Sequence, residues 1–309
     1  MTSSRLRAYL ILAVMPLLFA SNLVIGRAAI ETVPPWTLAF MRWSLAALVL
    51  LPFAQSGVRQ NAKAIAAEWR RFAVLGFLGM WICGGVVYVS LKLTTATHAT
   101  LIYTTSPVIV VLLAAILARK PLPLSQLLGV LIAMTGVAVT VTQGNLAGLL
   151  HLDLNLGDLG IFICAASWAI YSLVLKRRAF EAIPTIASFF VIAAAGAAML
   201  LPCMLYEMAT VGGFPASQKA WISIAGLVIF SSILSYWSYQ CSVRTVGPSV
   251  TAVFMYLLPV YGIALAVLFL GESFRLYHAV GLVLAIGGVV LATGTALLSG
   301  FARRRRNAT

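Results

Sequence analysis

The chain runs repeatedly for about 20 residues with almost no charged side chain, and this pattern limits its fold more than any other feature. About 20 apolar residues are what an α-helix needs to cross the hydrocarbon core of a bilayer. Hydrophobic residues make up 62% of the chain and charged residues only 9%, whereas soluble domains carry about 25% charged residues. We therefore predict an all-α integral membrane protein.

Ten apolar runs, bounded by charged residues, Pro or Gly, predict ten transmembrane helices. The first run follows Arg5 and Arg7, as in a signal peptide. No convincing cleavage site follows it and nine more runs do, so we interpret it as the first helix. The predicted helices cover residues 8–26, 36–54, 72–91, 97–118, 125–143, 158–175, 185–206, 219–242, 249–270 and 277–298.

The basic residues predict the orientation of these helices. With ten spans, 16 of the 21 Lys and Arg residues fall in one set of connections, and Arg42 alone lies within a span. Cytoplasmic loops are enriched in Lys and Arg, so both termini are predicted to be cytoplasmic in a multi-pass protein of the bacterial inner membrane. The basic tail at 299–309 is expected to face anionic lipid, and we expect no nucleic-acid partner despite the net charge of +14.

Two parts of the chain, residues 8–143 and 157–298, resemble each other. Each contains five predicted helices, and this odd number inverts the second part relative to the membrane. Inverted repeats are found in many secondary transporters, which bind substrate near the midplane where the repeats meet. A duplication that serves structural economy alone is the alternative. At a constant offset of 152, Pro107, Val108, Leu113, Ala114, Gly129, Ala133, Gly136 and Val137 recur as Pro259, Val260, Leu265, Ala266, Gly281, Ala285, Gly288 and Val289.

Small residues in the fifth and tenth predicted helices form a stripe on one helix face. Gly129, Ala133 and Gly136 are spaced at i, i+4 and i+7, and the same spacing recurs 152 residues later. Small residues let membrane helices approach closely. We interpret both stripes as packing seams and not as cofactor-binding loops.

Four stretches of the chain resemble EamA-type transporters of the drug/metabolite transporter superfamily. The last stretch is the most specific, and it contains the pair Gly271 and Glu272. The first repeat departs from the pattern, because Arg119 and Lys120 stand where a Gly-Glu pair is expected. The stretches are FASNLVIGR at 19–27, PPWTLAFMRWSLAALVLLP at 34–52, GDLGIFICAASWAIYSLVLKR at 157–177 and LLPVYGIALAVLFLGESFRLYHAVGLVLAIGGVVL at 257–291.

This resemblance implies a fold and a class of activity. The fold is a ten-helix basket made of two inverted five-helix EamA repeats, with a central cavity lined mainly by helices 1, 3, 4, 6, 8 and 9. The implied activity is export of amino acids or related small metabolites by alternating access. A multidrug or nucleobase-type exporter is the alternative cargo class.

Arg42 has two interpretations. Ionisable groups inside a membrane are costly, so each one suggests function. Arg42 lies six residues after Trp36, which is about 9 Å along a helix. Its guanidinium would either attract a substrate carboxylate or serve the architecture, by reaching the outer interface or by bonding backbone carbonyls.

Polar and aromatic residues within the predicted helices are candidates for the substrate cavity. The eighth helix carries a stripe of Ser231, Ser235 and Ser238, which faces either a cavity or the carbonyls of its own helix. Tyr and Trp offer an apolar body with a polar group. Pro107 and Pro259, inside helices 4 and 9, are candidate hinges because each removes one backbone hydrogen bond. The substrate-binding candidates are Asn22, Arg42, Tyr103, Trp168, Tyr171, Ser235, Tyr236, Tyr239 and Tyr256.

The sequence gives little support for catalysis or ion coupling. All seven Asp and Glu residues fall in loops or at helix ends, so none is placed to relay protons or sodium in mid-membrane. The four Cys residues form no CxxC and the three His residues are dispersed, and we expect no metal and no cofactor. A membrane-embedded enzyme, the non-transport alternative, lacks an HExxH, P-loop or GxSxG motif. We therefore expect a small-molecule substrate and a lipid environment, with no prediction of oligomeric state.

Overall fold

The computed structural model describes residues 3–94, 99, 102–103, 105–119, 121–145, 155–176, 180, 182–258, 260–261, 264 and 274–306. All regular secondary structure in these segments is helical. We label the helices α1 Ser3–Ile30, α2 Pro35–Gln60, α3 Trp69–Ser90, α4 Ser106–Ala118, α5 Leu124–Val141, α6 Leu156–Leu175, α7 Thr185–Thr210, α8 Gln218–Val246, α9 Pro248–Phe254 and α10 Leu276–Arg306. A short helix, Ala62–Ala67, joins α2 to α3, and a 3₁₀ turn, Met255–Leu257, follows α9.

Six of these helices are long and apolar enough to cross a membrane, namely α2, α3, α5, α6, α7 and α8. The other four predicted spans coincide with shorter apolar helical segments in the described residues, within α1, α4, α9 and α10. Parts of the fourth and ninth predicted helices, including Pro259, lie outside the described residues. The structure therefore supports an all-helical membrane fold, and the count of ten spans stays a prediction.

Local sequence signals explain several helix ends. Proline occupies the first turn of α2, α4 and α9, where a missing N–H breaks no helical hydrogen bond. At the start of α6, Asn155 and Asp158 form a reciprocal capping box.

Pro107 corrects one expectation from the sequence. It was predicted to interrupt the hydrogen bonds of helix 4 from inside. Helix α4 instead begins at Ser106, after a turn at Thr105, so Pro107 lies in its first turn. A hinge here would act at the start of α4 and not through a kink within it.

Helices α5 and α10 pack backbone against backbone along the predicted small-residue stripes. A Cβ atom added to Gly136 would lie 2.6 Å from the amide nitrogen of Ala285. Gly129 faces Gly288, and Gly136 faces Gly281. In the repeat, Gly129 corresponds to Gly281 and Gly136 corresponds to Gly288. The helices are therefore antiparallel, and their contacts map onto one another under the 152-residue offset. The prediction that both stripes are packing seams is confirmed.

Helices α2 and α7 form a second antiparallel pair, closed at one end by a carboxylate. The Oε2 atom of Glu207 accepts hydrogen bonds from the backbone N–H and the hydroxyl of Thr37, at 2.7 and 2.9 Å. Thr37 is in the first turn of α2, where N–H groups lack helical partners and negative charge is favourable. At the other end of the pair, Gly57 lies against Ala187. The sequence placed Glu207 correctly at a helix end but did not predict that it is buried.

Equivalent stretches of α3 and α8 are π-helical. The π segments span Phe77–Val86 and Leu227–Leu234, and each begins directly after a glycine, Gly76 or Gly226. Their starts are 150 residues apart, close to the repeat offset. π-Helical turns are rare and are frequent at functional sites. Each segment contributes buried residues, among them Met80 and Ser231.

Candidate functional site

Arg42 is the centre of a buried polar cluster that joins four helices. Its side chain is only 3% exposed. Nε donates to the Ser232 hydroxyl at 2.5 Å, and Nη2 donates to the Ser231 carbonyl at 2.7 Å. Nη1 donates to the Tyr88 hydroxyl at 2.9 Å and to Oδ1 of Asn22 at 3.1 Å. The guanidinium thus connects α2 to α1, α3 and α8.

All the acceptors around Arg42 are neutral oxygens. Among the described residues, no carboxylate lies within ion-pair distance of its guanidinium. Four of its five N–H donors are used by the protein, and the ring of Trp43 lies 4.9 Å from its Cζ atom. The geometry favours the architectural interpretation of Arg42 in this conformation. Its predicted contact with a substrate carboxylate stays a prediction.

The π segments supply unusual hydrogen-bond acceptors to this region. Where a helix changes from i→i+4 to i→i+5 bonding, backbone carbonyls become available to side chains of other helices. The Ser231 carbonyl in α8 accepts from Arg42, and the Gly79 carbonyl in α3 accepts from the Tyr236 hydroxyl at 3.3 Å. The two π segments therefore anchor polar side chains from the opposite repeat or from the neighbouring helix.

Four of the predicted binding residues converge in one aromatic cluster, formed by Trp168 and Tyr171 of α6 and Tyr236 and Tyr239 of α8. The Trp168 ring stacks on Tyr171 at 5.3 Å between centroids. It also contacts Tyr239 at 4.6 Å and Tyr236 at 5.3 Å. All four rings are buried, so in this conformation they pack against one another.

The tyrosine hydroxyls of this aromatic cluster have protein partners. Tyr239 shares a hydrogen bond of 2.5 Å with Ser172, and Tyr171 accepts one from Gln240 Nε2 at 3.1 Å. The hydroxyl of Ser235, another predicted binding residue, donates to the Ser231 carbonyl one turn earlier in α8 at 2.5 Å. For Ser235 the structural alternative considered from the sequence is therefore observed.

A small cavity lies beside the aromatic cluster, between α4, α6 and the α9 region. Its volume is about 50 Å³, and since a water molecule occupies about 30 Å³ of liquid, it holds one or two waters. An organic substrate would enter it only after the surrounding helices separate. The cavity contains three predicted binding residues and one predicted hinge among its lining residues, Tyr103, Ser106, Pro107, Trp168, Ala252, Met255, Tyr256 and Leu258.

Two buried hydroxyls in this cavity wall are unsatisfied. Ser106 is 2% exposed and Tyr256 is 1% exposed. Neither hydroxyl has a hydrogen-bond partner among the described residues. Buried polar groups are almost always paired, so a ligand or water that enters when the surrounding helices separate would satisfy these two groups. The sequence identified Tyr256 but missed Ser106, although Ser106 directly precedes the repeated Pro107.

The described residues offer little for a metal. No group of three His, Cys, Asp or Glu side chains in this part of the chain could hold one. Cys83 and Cys164 face each other across α3 and α6, where each thiol donates to a carbonyl of the other helix at 3.4 to 3.5 Å. Both are free thiols. Pro259, the second predicted hinge, lies outside the described residues.

The sequence model of the EamA-like transporter family matches residues 6–142 and 155–294. The uncharacterized transporter YyaM of Bacillus subtilis is 26% identical over 94% of both chains. The uncharacterized inner membrane transporter YedA of Escherichia coli K12 is 24% identical over 90% of this chain and 87% of its own. A solved crystal structure aligns with a TM-score of 0.77 at 22% identity, covering 94% of this chain and 97% of that one. The family match and the two relatives indicate a membrane transporter, and the likeness to the solved structure indicates a shared fold.

Proposed function

Because this chain belongs to the EamA-like transporter family, we propose that it exports amino acids or related small metabolites by alternating access of its two repeats. The family defines a membrane transporter and leaves its cargo open. The proposal places the protein in the bacterial inner membrane with ten spans and both termini in the cytoplasm. The expected lipid contacts of the basic tail at 299–309 belong to the same proposal.

The reciprocal contact of α5 with α10 is the observation that carries the proposal. Gly129 faces Gly288 while Gly281 faces Gly136, so the halves meet through equivalent surfaces in opposite orientation. Two such halves can exchange conformations, which converts an outward-facing state into an inward-facing one.

The differences between the halves lie at the centre of the protein and support a defined substrate path. The cluster around Arg42 has no polar equivalent in the second half, since the residue 150 positions later is the buried Ile192. The cavity that contains Tyr103, Trp168 and Tyr256 lies near the membrane midplane of the proposed topology. Substrate sites of inverted-repeat transporters lie at this depth.

A nucleobase-type cargo is the second candidate. The observation that favours it is the cavity wall, whose described lining residues include three aromatic rings and no charged side chain. An amino acid would bring both a carboxylate and an ammonium group into that environment. Hydroxyl groups and ring faces suit an uncharged molecule better.

Counterflow in liposomes tests the proposed function. The purified protein is reconstituted, the vesicles are loaded with unlabelled solute, and uptake of radiolabelled amino acids and nucleobases is followed. We expect saturable exchange of at least one solute, absent from empty vesicles. Trp168→Ala should reduce that exchange strongly, whereas Trp69→Ala, at a site that is 60% exposed and outside the cavity lining, should not. Folded protein that exchanges no member of the panel would contradict the proposal.

A further inference from the structure

The cavity between α4, α6 and the α9 region offers a charged ligand no opposite charge among the residues that the structure describes. None of the described lining side chains is Asp, Glu, Lys, Arg or His. Removing a carboxylate or ammonium group from water without a partner is strongly unfavourable. A ligand that binds in this cavity should therefore be uncharged.

The buried cation does not remedy this lack of charge. Arg42 is not part of the cavity wall. Its donors are directed to Asn22, Tyr88, Ser231 and Ser232. These bonds use four of its five N–H donors, and a carboxylate that paired with the remaining donor would lie outside the described cavity lining. The guanidinium thus stabilises the helix arrangement and leaves the cavity electrically neutral.

The shape and hydrogen-bonding capacity of the cavity wall select further among uncharged ligands. Tyr103, Trp168 and Tyr256 present aromatic rings, and Trp168 is held in orientation by stacking on Tyr171. The hydroxyls of Ser106 and Tyr256 can each donate and accept a hydrogen bond without breaking an existing one among the described residues. A flat ring requires the smallest separation of the cavity walls, which matters because the cavity measures only about 50 Å³.

We propose that the substrate is an uncharged heteroaromatic molecule that carries hydrogen-bonding groups, held between the aromatic side chains and bonded by Ser106 and Tyr256. This inference rests on the proposed transport function and names the substrate class of the same site. Aromatic stacking contributes the affinity, and the two unpaired hydroxyls form hydrogen bonds with the ring substituents, which gives specificity. Within the proposed class of amino acids and related small metabolites, this inference favours an uncharged metabolite over a free amino acid, which carries two charges.

Matched pairs of small molecules test the charge requirement. Orotate is uracil with one added carboxylate. Nicotinate carries a carboxylate where nicotinamide carries an uncharged amide. In counterflow at pH 7.4 we expect each uncharged member to exchange at least about tenfold faster than its acid, since burial of an unpaired charge is costly. Amino acids in the same experiment serve as a further charged class.

Conservative variants test the assignment to this cavity. Tyr256→Phe and Ser106→Ala each remove one unpaired hydroxyl and should raise the half-saturation concentration for uracil about 3- to 10-fold. Tyr206→Phe makes the same change at a site 72% exposed and outside the cavity, and should leave exchange unchanged. Thermal unfolding of all three variants in detergent, with and without uracil, separates loss of binding from loss of folding.

Each outcome decides between the two proposals. Preferred exchange of the uncharged members that is weakened by both cavity variants supports the substrate class. Equal or faster exchange of orotate, nicotinate or amino acids overturns the class and keeps the transporter. Preference for uncharged members without any effect of Ser106→Ala or Tyr256→Phe overturns the cavity assignment. Folded wild-type protein that exchanges none of these solutes overturns the proposed function and this inference with it.

Discussion

The Nη1 atom of Arg42 donates a hydrogen bond of 2.9 Å to the hydroxyl of Tyr88, which in turn lies 3.2 Å from Oδ1 of Asn22. This triangle joins α2, α3 and α1 through one guanidinium. The planar fork of Arg serves several acceptors at fixed angles, and a Lys ammonium cannot replace it. The arrangement makes Arg42 a structural residue whose shape matters as much as its charge.

We predict that Arg42→Lys destabilises the protein by about 2 kcal/mol or more. The substitution keeps the positive charge but removes the guanidinium donor of the buried Ser232 hydroxyl and one of the two donors of the Ser231 carbonyl. Unfolding in detergent, followed by loss of the monodisperse peak on heating, should show a midpoint lower by about 5 °C. Arg59→Lys is the control, because Arg59 is an exposed residue of the same helix.

The opposite result would identify Arg42 as a substrate contact. In that case Arg42→Lys would fold with a nearly unchanged midpoint and would alter only exchange of carboxylate solutes. Tyr88→Phe gives an independent measurement, since it removes one acceptor of Arg42 and should cost about 1 kcal/mol.

Gly288→Ala is predicted to weaken the contact between the repeats. A Cβ atom added at Gly288 would lie 2.7 Å from the Cβ atom of Ala133 and closer still to the Ala133 backbone nitrogen. Helix backbones cannot give way as a flexible side chain can, so the expected cost is about 1–3 kcal/mol. The neighbouring Gly287→Ala is the control, because nothing lies within 4 Å of an added Cβ there. Thermal unfolding should separate the two variants, with Gly287→Ala equal to or above wild type.

Glu207→Gln is predicted to loosen one end of the pair formed by α2 and α7. The carboxylate accepts both hydrogen bonds of Thr37, and its charge is favourable at the start of α2. An amide keeps the shape but loses the charge, so we expect a destabilisation of about 1 kcal/mol. Glu31→Gln, at an exposed site, provides the matched control. Equal unfolding midpoints for the two variants would contradict a role for Glu207 in holding this end together.

Features that depend on one helix alone could be predicted from the sequence. The apolar runs located the helices, although α2 continues to Gln60, beyond the predicted end at residue 54. The stripe of Gly129, Ala133 and Gly136 predicted a close seam because small residues at helical spacing have few other uses in membranes. The resemblance to EamA transporters is confirmed by the family match at residues 6–142 and 155–294.

Features that depend on how helices are rotated against one another could not be predicted. Arg42 was weighed between two interpretations because the sequence does not say that Tyr88 and Ser232 surround it. The π segments leave no mark in hydropathy, yet they decide which carbonyls accept side-chain bonds. Ser106 was missed because a single Ser inside the predicted helix 97–118 shows no pattern that marks its hydroxyl as buried and unpaired.

Tyr256→Phe is predicted to stabilise the protein without substrate. The Tyr256 hydroxyl is buried and has no partner among the described residues, so it loses its bonds to water on folding and gains none. Its removal should raise the unfolding midpoint by a few degrees, for a gain of about 1 kcal/mol. Tyr239→Phe makes the same change at a hydroxyl that is bonded to Ser172, and it should lower the midpoint. If Tyr256→Phe raises the unfolding midpoint and also weakens exchange, the hydroxyl serves ligand binding. If Tyr256→Phe and Tyr239→Phe lower the midpoint by similar amounts, the Tyr256 hydroxyl has a structural role.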